Sequence, residues 1–150
     1  MDKQIKILEE ITQELFELLQ MKVTFVIKKE EEVFIIQLKT EDPGVLIGYH
    51  GQALTALQQM ITMMSFKKSG EWVRILVDVE DYREKRKEIL GEMAMSIAEK
   101  VKISGLSQVL SPMSSFERRV VHLILADHPE VETVSEGEGD QRHIIVKLKS

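Results

Sequence analysis

Two glycines three positions apart, Gly48 and Gly51, interrupt helical periodicity in Ile47-Gly48-Tyr49-His50-Gly51-Gln52-Ala53-Leu54. Lacking a Cβ, such residues let the backbone take unusual dihedrals and approach another backbone closely. The spacing by itself marks many ordinary turns, so its surroundings decide what it means. Before it, Ile5, Leu8, Ile11, Leu15, Leu18 and Leu19 fall on one face of a helix over 2–19. Residues 22–28 alternate and residues 33–38 are β-branched and apolar, which predicts two strands joined by a hairpin at Lys29-Glu30-Glu31-Glu32. Pro43-Gly44 breaks the pattern and Val45-Leu46-Ile47 reads as a short helical turn. After Gly51, the positions of Leu54, Leu57, Met60, Ile61 and Met64 fit an amphipathic helix, and residues 71–79 read as a third strand. Helix, strand, strand, helix, helix, strand is the order of an α+β sandwich with one helical layer on one sheet.

The second half repeats this class with a different order. Residues 78–81 cap a helix running to about 103, whose expected buried stripe is Tyr82, Ile89, Met93, Ile97 and Val101, ended by Gly105. A short strand follows over 106–110. Ser114 or Ser115 then caps a helix over 116–126, which His128-Pro129 stops. Strands over 131–135 and 143–148 flank the turn Glu136-Gly137-Glu138-Gly139-Asp140. The expectation is two small α/β sandwich modules, 1–80 and 81–150, the second including a long connecting helix over 81–103.

On the 116–126 helix, Arg118 and His122 are four apart and share a face. Phe116, Val120, Leu123 and Ile124 cluster elsewhere, so the pair is expected to project away from the core. A guanidinium fork beside an imidazole suits a phosphate. The same spacing also occurs on solvated helices, or with a histidine that bonds a neighbouring strand. At the glycine loop, exposed N–H groups and the dipole of the following helix favour an anion.

Charge sets a limit on such binding. The chain carries −5 overall: residues 1–80 hold nine Lys+Arg against thirteen Asp+Glu, and residues 81–150 hold eleven against twelve. Phosphate neutralisation supplies much of nucleic-acid affinity, so any attraction here must be local and modest. Five of the six arginines lie in the second half. There is no cysteine, which excludes disulfides and thiolate metal sites. No stretch of ~18 apolar residues suggests a membrane span, so the expectation is a cytoplasmic protein that does not insert into membranes.

No phosphate-binding P-loop, nucleophile elbow or zinc-protease spacing is present. Asp78, Glu80 and Asp81, and likewise Glu136, Glu138 and Asp140, lack calcium-loop spacing, and His122, His128 and His143 share no metal-ligand motif. No catalytic residue, cofactor or metal is expected. The methionines Met60, Met63, Met64, Met93, Met95 and Met113 are expected mainly to fill cores rather than to line a partner groove.

With the G-x-x-G between two helices, after two strands and before a third, residues 3–80 resemble a KH domain of the bacterial type. Such loops clamp the backbone of about four nucleotides while nearby apolar residues accept the bases. Ser111-Pro112-Met113, Glu117-Arg118-Arg119-Val120-Val121-His122, Val131-Glu132-Thr133-Val134-Ser135-Glu136-Gly137-Glu138 and Arg142 resemble the Arg-x-x-x-His domain of the Jag family, bacterial RNA-binding proteins named for association with the SpoIIIJ insertase. The opening Asp78-Val79-Glu80-Asp81-Tyr82-Arg83 is similar to that family's join between its modules. The resemblance implies single-stranded RNA binding, with DNA the nearest alternative, on Arg118 and His122 supported by Arg119 and Arg142, and more weakly on Gly48, Tyr49, His50 and Gly51. It further implies a post-transcriptional regulator and pairing with a small KH-only protein or self-association. Two departures stand out. One of the two middle loop positions is usually Lys or Arg, and here they are Tyr49 and His50, and the chain begins directly at the KH module where many members carry a further N-terminal domain. The competing expectation is a protein-interaction adaptor or dimerisation module whose nucleic-acid contacts have decayed.

Overall fold

The computed structural model describes residues 2–150, which divide into two compact units between Arg83 and Glu84. In the first, α1 (Lys3–Leu18) is capped by Asp2, whose Oδ1 accepts from the Gln4 N–H at 2.9 Å. It buries Leu8, Ile11, Thr12, Leu15 and Phe16, whereas Leu18 and Leu19, expected on the same face, are exposed. β1 (Thr24–Glu30) and β2 (Val33–Lys39) form the antiparallel hairpin, with Ile27 opposite Ile36. Then come α2 (Pro43–Ile47), a 3₁₀ turn over Tyr49–Gly51, α3 (Gln52–Ser69) and β3 (Arg74–Val79). β3 lies parallel to β2, giving the sheet order β1-β2-β3. A parallel neighbour requires a crossover, and α2 and α3 supply it while covering the sheet. Phe34, Ile36 and Leu38 of β2 and Ile75, Val77 and Val79 of β3 all point into one core, as a period of two demands.

β3 is an edge strand, and both outward backbone groups of Val77 at its middle are occupied. The Val77 N–H donates to Gln58 Oε1 at 2.9 Å, and the Val77 carbonyl accepts from Arg83 Nε at 2.9 Å. Arg83 Nη2 also donates to Gln58 Oε1, at 2.9 Å. These side chains cover the middle of the edge against a pairing chain. Burial lowers the Arg83 pKa, and the charge of Asp78 acts against that shift.

The second unit starts within α4 (Tyr82–Ser104), whose first two residues end the first unit, and continues with β4 (Gln108–Val109), α5 (Ser115–Leu125), β5 (Val131–Glu136), a 3₁₀ turn over Gly139–Gln141 and β6 (His143–Leu148). Its sheet runs β4-β6-β5, antiparallel throughout. The buried stripe of α4 is Leu90, Ala94, Ala98 and Val101. The sequence expectation is corrected here: Ile89 is exposed, Met93 and Ile97 are only partly buried, and Tyr82 packs on the first unit's core. Side-chain size misled it, because the small residues Ala94 and Ala98 are fully buried, and at Gly91 an added Cβ would lie 3.4 Å from Ile124 Cδ1.

The face of α5 is corrected as well. It buries Glu117, Val120, Val121 and Leu125, while Phe116 and Leu123, expected inward, are exposed and Ile124 is half-buried. Of the two candidate caps, Ser114 is the one used, its Oγ accepting from the Glu117 N–H at 3.2 Å. Ser114→Ala is expected to cost about 1 kcal/mol, measured by urea denaturation of the full chain. A change under a few tenths would show that the hydroxyl contributes little. Among the methionines, Met60, Met63 and Met95 are exposed rather than core.

Candidate nucleic-acid interface

The glycine loop is shaped by its backbone. Pro43 starts α2, and the helix stops at Gly48, whose N–H donates to the Gly44 carbonyl at 2.9 Å. Gly48 has φ 69° and ψ −167°, a region closed to other residues. A Cβ there would stand 2.7 Å from Ala53 Cβ and 2.9 Å from the Ala53 nitrogen, so the loop lies directly on the first turn of α3. His50 is left-handed at φ 48°, and Gly51, left-handed at φ 83°, leads into α3 with no side-chain cap. The N–H groups of that first turn are thus uncapped by any side chain and carry the positive end of an 18-residue helix. Tyr49 is 63% exposed and stacks on His50, with ring centroids 3.9 Å apart. The loop offers backbone donors and an aromatic face, without the fixed cation of a Lys or Arg.

In the second unit, Arg118 and His122 do not project freely away from the core, as the periodicity suggested. Both are half-buried on the flank of α5 and tied to neighbouring chain. Arg118 Nη1 donates to the Met113 carbonyl at 2.6 Å, and His122 Nδ1 is hydrogen-bonded to the Thr133 hydroxyl on β5. The Met113 N–H in turn donates to the Arg142 carbonyl at 3.3 Å, so the backbone of one residue links Arg118 to Arg142. Arg142 Nη1 donates to the Gly137 carbonyl at 2.8 Å. Each arginine is therefore oriented by one hydrogen bond and keeps further N–H donors for a ligand. The Nε2 edge of His122 has no hydrogen bond among the described residues. Arg119 is exposed and joins none of these contacts.

The sequence reading missed three participants. Met113 contributes its backbone, which no side-chain pattern reveals. Thr133 lies between Val131 and Ser135 on the helix-facing side of β5, and a hydroxyl at an inward strand position is the signal that would have found it. Glu117 is the third. It forms a bidentate pair with Arg86 of α4, Nε to Oε1 at 2.8 Å and Nη2 to Oε2 at 3.3 Å. Among the described residues, no three His, Asp or Glu side chains converge as metal ligands. His128 instead accepts from the Glu130 and Val131 N–H groups, and His143 Nδ1 bonds the Gln141 carbonyl.

Residues 5–79 match the family model described as KhpA/KhpB, KH domain, and residues 88–148 match that of the Arg-x-x-x-His domain. The chain is similar to the RNA-binding protein KhpB of Clostridium symbiosum, 39% identical over 150 residues, which are 99% of this chain and 66% of that relative. It is also similar to the proteins of that name from Lactiplantibacillus plantarum, 36% identical over 76% of this chain and 35% of the relative, and from Bacillus subtilis, 36% identical over 73% and 53%. The chain thus spans from about a third to about two thirds of the length of these relatives. With a KhpA/KhpB-type KH domain matched over half its length and an Arg-x-x-x-His domain behind it, the chain belongs to the KhpB, or Jag, family.

Proposed function

We propose that the chain binds single-stranded RNA, chiefly through Arg118 and His122 with Arg119 and Arg142 in support, and more weakly through Gly48, Tyr49, His50 and Gly51. Residues 1–80 act as the KH module and residues 81–150, α4 included, as the Arg-x-x-x-His module. The observation that carries this reading is the tethered row Arg142, Met113, Arg118, His122, Thr133: arginines held by backbone carbonyls and an imidazole held by a hydroxyl, not by carboxylates. Arginines quenched by acids would have little left for phosphate. The relatives' name, RNA-binding protein, points the same way. The reading is of a cytoplasmic post-transcriptional regulator that acts by occupancy and not by catalysis. No helix of the described residues is long and apolar enough to cross a membrane.

A second reading has one observation behind it. Ala56, Met60, Met63 and Lys67 line an open groove of about 510 Å³ along α3, an adaptable apolar surface of the kind that receives a protein. Pairing with a second KH domain, from a small KH-only protein or another copy, would use this face. If it is the chain's sole activity, the adaptor reading replaces the first.

Binding of a short mixed-sequence RNA across a salt series separates the two. Wild type is expected to bind with an affinity that falls steeply with salt, since each bound phosphate releases counterions. Arg118→Ala/His122→Ala is expected to lose about 10- to 100-fold, as charge-assisted bonds of ~1.5–3 kcal/mol disappear. Its salt slope should be shallower by about one for each phosphate no longer bound. Absence of binding by the wild type at low salt would leave only the adaptor.

A further inference from the structure

The loop at the other end of α3 carries an aromatic pair that neither the glycine loop nor the Arg118–His122 helix uses. Trp72, the chain's single tryptophan, is 65% exposed. Its indole lies almost flat on Phe66, with centroids 4.0 Å apart and 8° between planes. One ring face is covered by Phe66, and the exposure belongs to the rest of the indole. Leaving so large an apolar surface in water is costly, and nothing in the core needs it there.

The backbone on either side of Trp72 is tied down by hydrogen bonds and packing. Gly70, left-handed at φ 78°, ends α3 with its N–H on the Phe66 carbonyl at 2.8 Å. Ser69 Oγ donates to the Ser65 carbonyl at 2.9 Å and accepts from the Glu71 N–H at 3.2 Å, and Val73 is anchored against the core. Beside the indole opens a groove of about 380 Å³, with Phe34 and Val73 among its apolar walls. That volume is within the ~300–1,000 Å³ of small-ligand clefts.

The groove's charges are mixed in a way that fits one nucleotide. Arg74 lines it, is exposed and forms no ion pair among the described residues. Lys29 also lines it, shared with Asp2 at 3.5 Å. Asp2, Glu32 and Glu71 line the same groove, three carboxylates against two cations, and carboxylates accept from the exocyclic amines of adenine, guanine and cytosine, whereas uracil offers only its ring N3–H.

We propose that Trp72, backed by Phe66, stacks an unpaired amino-bearing nucleobase of bound RNA while Arg74 contacts the adjoining phosphate. This rests on the RNA-binding reading above and adds a contact remote from the glycine loop: at 1.5 Å per residue, α3 separates the two by roughly 27 Å. Base–aromatic stacking tolerates sequence because every base has a π-face, so the carboxylates bias the choice without fixing it. A protein's arginine on the indole is the competing occupant. The free cation of Arg74 beside the ring works against it.

The single tryptophan makes the test direct. Full-length chain is titrated with a labelled twelve-residue oligoadenylate, following oligonucleotide anisotropy and Trp72 emission together, then with an oligouridylate of the same length. Trp72 emission is expected to fall in step with adenylate binding. Trp72→Ala is expected to weaken adenylate binding roughly tenfold, Trp72→Phe to recover most of it, and uridylate to bind more weakly and respond less. Adenylate binding with unchanged Trp72 emission and a neutral Trp72→Ala overturns the platform and leaves the RNA reading standing. No binding of either oligonucleotide overturns both. The wild-type emission signal needs no variant, so a poorly folded Trp72→Ala does not blunt the result.

Discussion

Glu117→Ala is expected to be among the most destabilising single substitutions in the second unit, by about 3–5 kcal/mol. The Glu117 side chain is 4% exposed and that of Arg86 is 19% exposed, so their paired charges sit almost wholly out of water. Ion pairs on surfaces contribute little, but removing one partner of a buried pair leaves the other charge desolvated without its counter-charge. The bidentate geometry compounds the loss, because two aligned N–H···O bonds vanish together. A unit of fewer than 70 residues has only a few kcal/mol in hand. The measurement is urea denaturation with hydrogen exchange at α5, β5 and β6 amides. The pair's origin is tested by Arg86→Leu/Glu117→Leu, expected to recover most of the loss because apolar replacements of buried pairs are often neutral. A Glu117→Ala loss below about 1 kcal/mol would mean water already screens the pair. Arg118 and His122 ride on the same helix, so RNA binding should weaken with Glu117→Ala although Glu117 faces inward.

That inward face also shows how far the sequence could be read. Periodicity placed α1, α3, α4 and α5 and the strands of both hairpins within a few residues, because apolar spacing and turn residues act locally. The order of the two domains was legible for the same reason: Gly48, Gly51, Arg118 and His122 are short-range patterns. Rotation of α5 about its axis was not legible. Phe116 and Leu123 are larger and more apolar than Glu117, and the pair with Arg86, 31 residues away, holds Glu117 toward the core. Likewise Ala94 and Ala98 take the buried stripe of α4 where Ile89 is expected, since a short side chain gives little apolar signal to periodicity. Tethers of site residues to Met113 and Thr133 are long-range backbone and hydroxyl contacts, which leave no spacing in the chain. The strand expected over 71–79 starts only at Arg74, and Glu71 to Val73 form the loop that presents Trp72.

Gly48→Ala is the second substitution with a large expected effect, about 3 kcal/mol or more against the first unit, before any ligand is considered. Two costs add. The dihedrals φ 69°, ψ −167° fall where only glycine is comfortable, at about 1–3 kcal/mol for another residue. The new Cβ also meets Ala53, and the atom at 2.9 Å is backbone nitrogen in the first turn of α3, which cannot rotate aside. Overpacking of that kind costs typically ~1–3 kcal/mol. Gly51→Ala is expected to be milder, about 1–2 kcal/mol. Gly51 is ordinary left-handed backbone, and its added Cβ meets Tyr82 Cε1 at 3.0 Å, a side-chain atom able to shift. Urea denaturation of both variants checks the order, and a Gly51→Ala variant less stable than Gly48→Ala would show that Ala53 yields. The consequence reaches the functional test. A Gly48 variant that no longer binds RNA has an unfolded loop as well as an altered surface, so the loop's share is read from Tyr49→Ala, whose exposed ring leaves the turn of Gly48 on α3 in place. Weaker RNA binding there at unchanged stability would assign the contact to the aromatic face. Unchanged affinity would leave the Arg118–His122 helix to carry the binding.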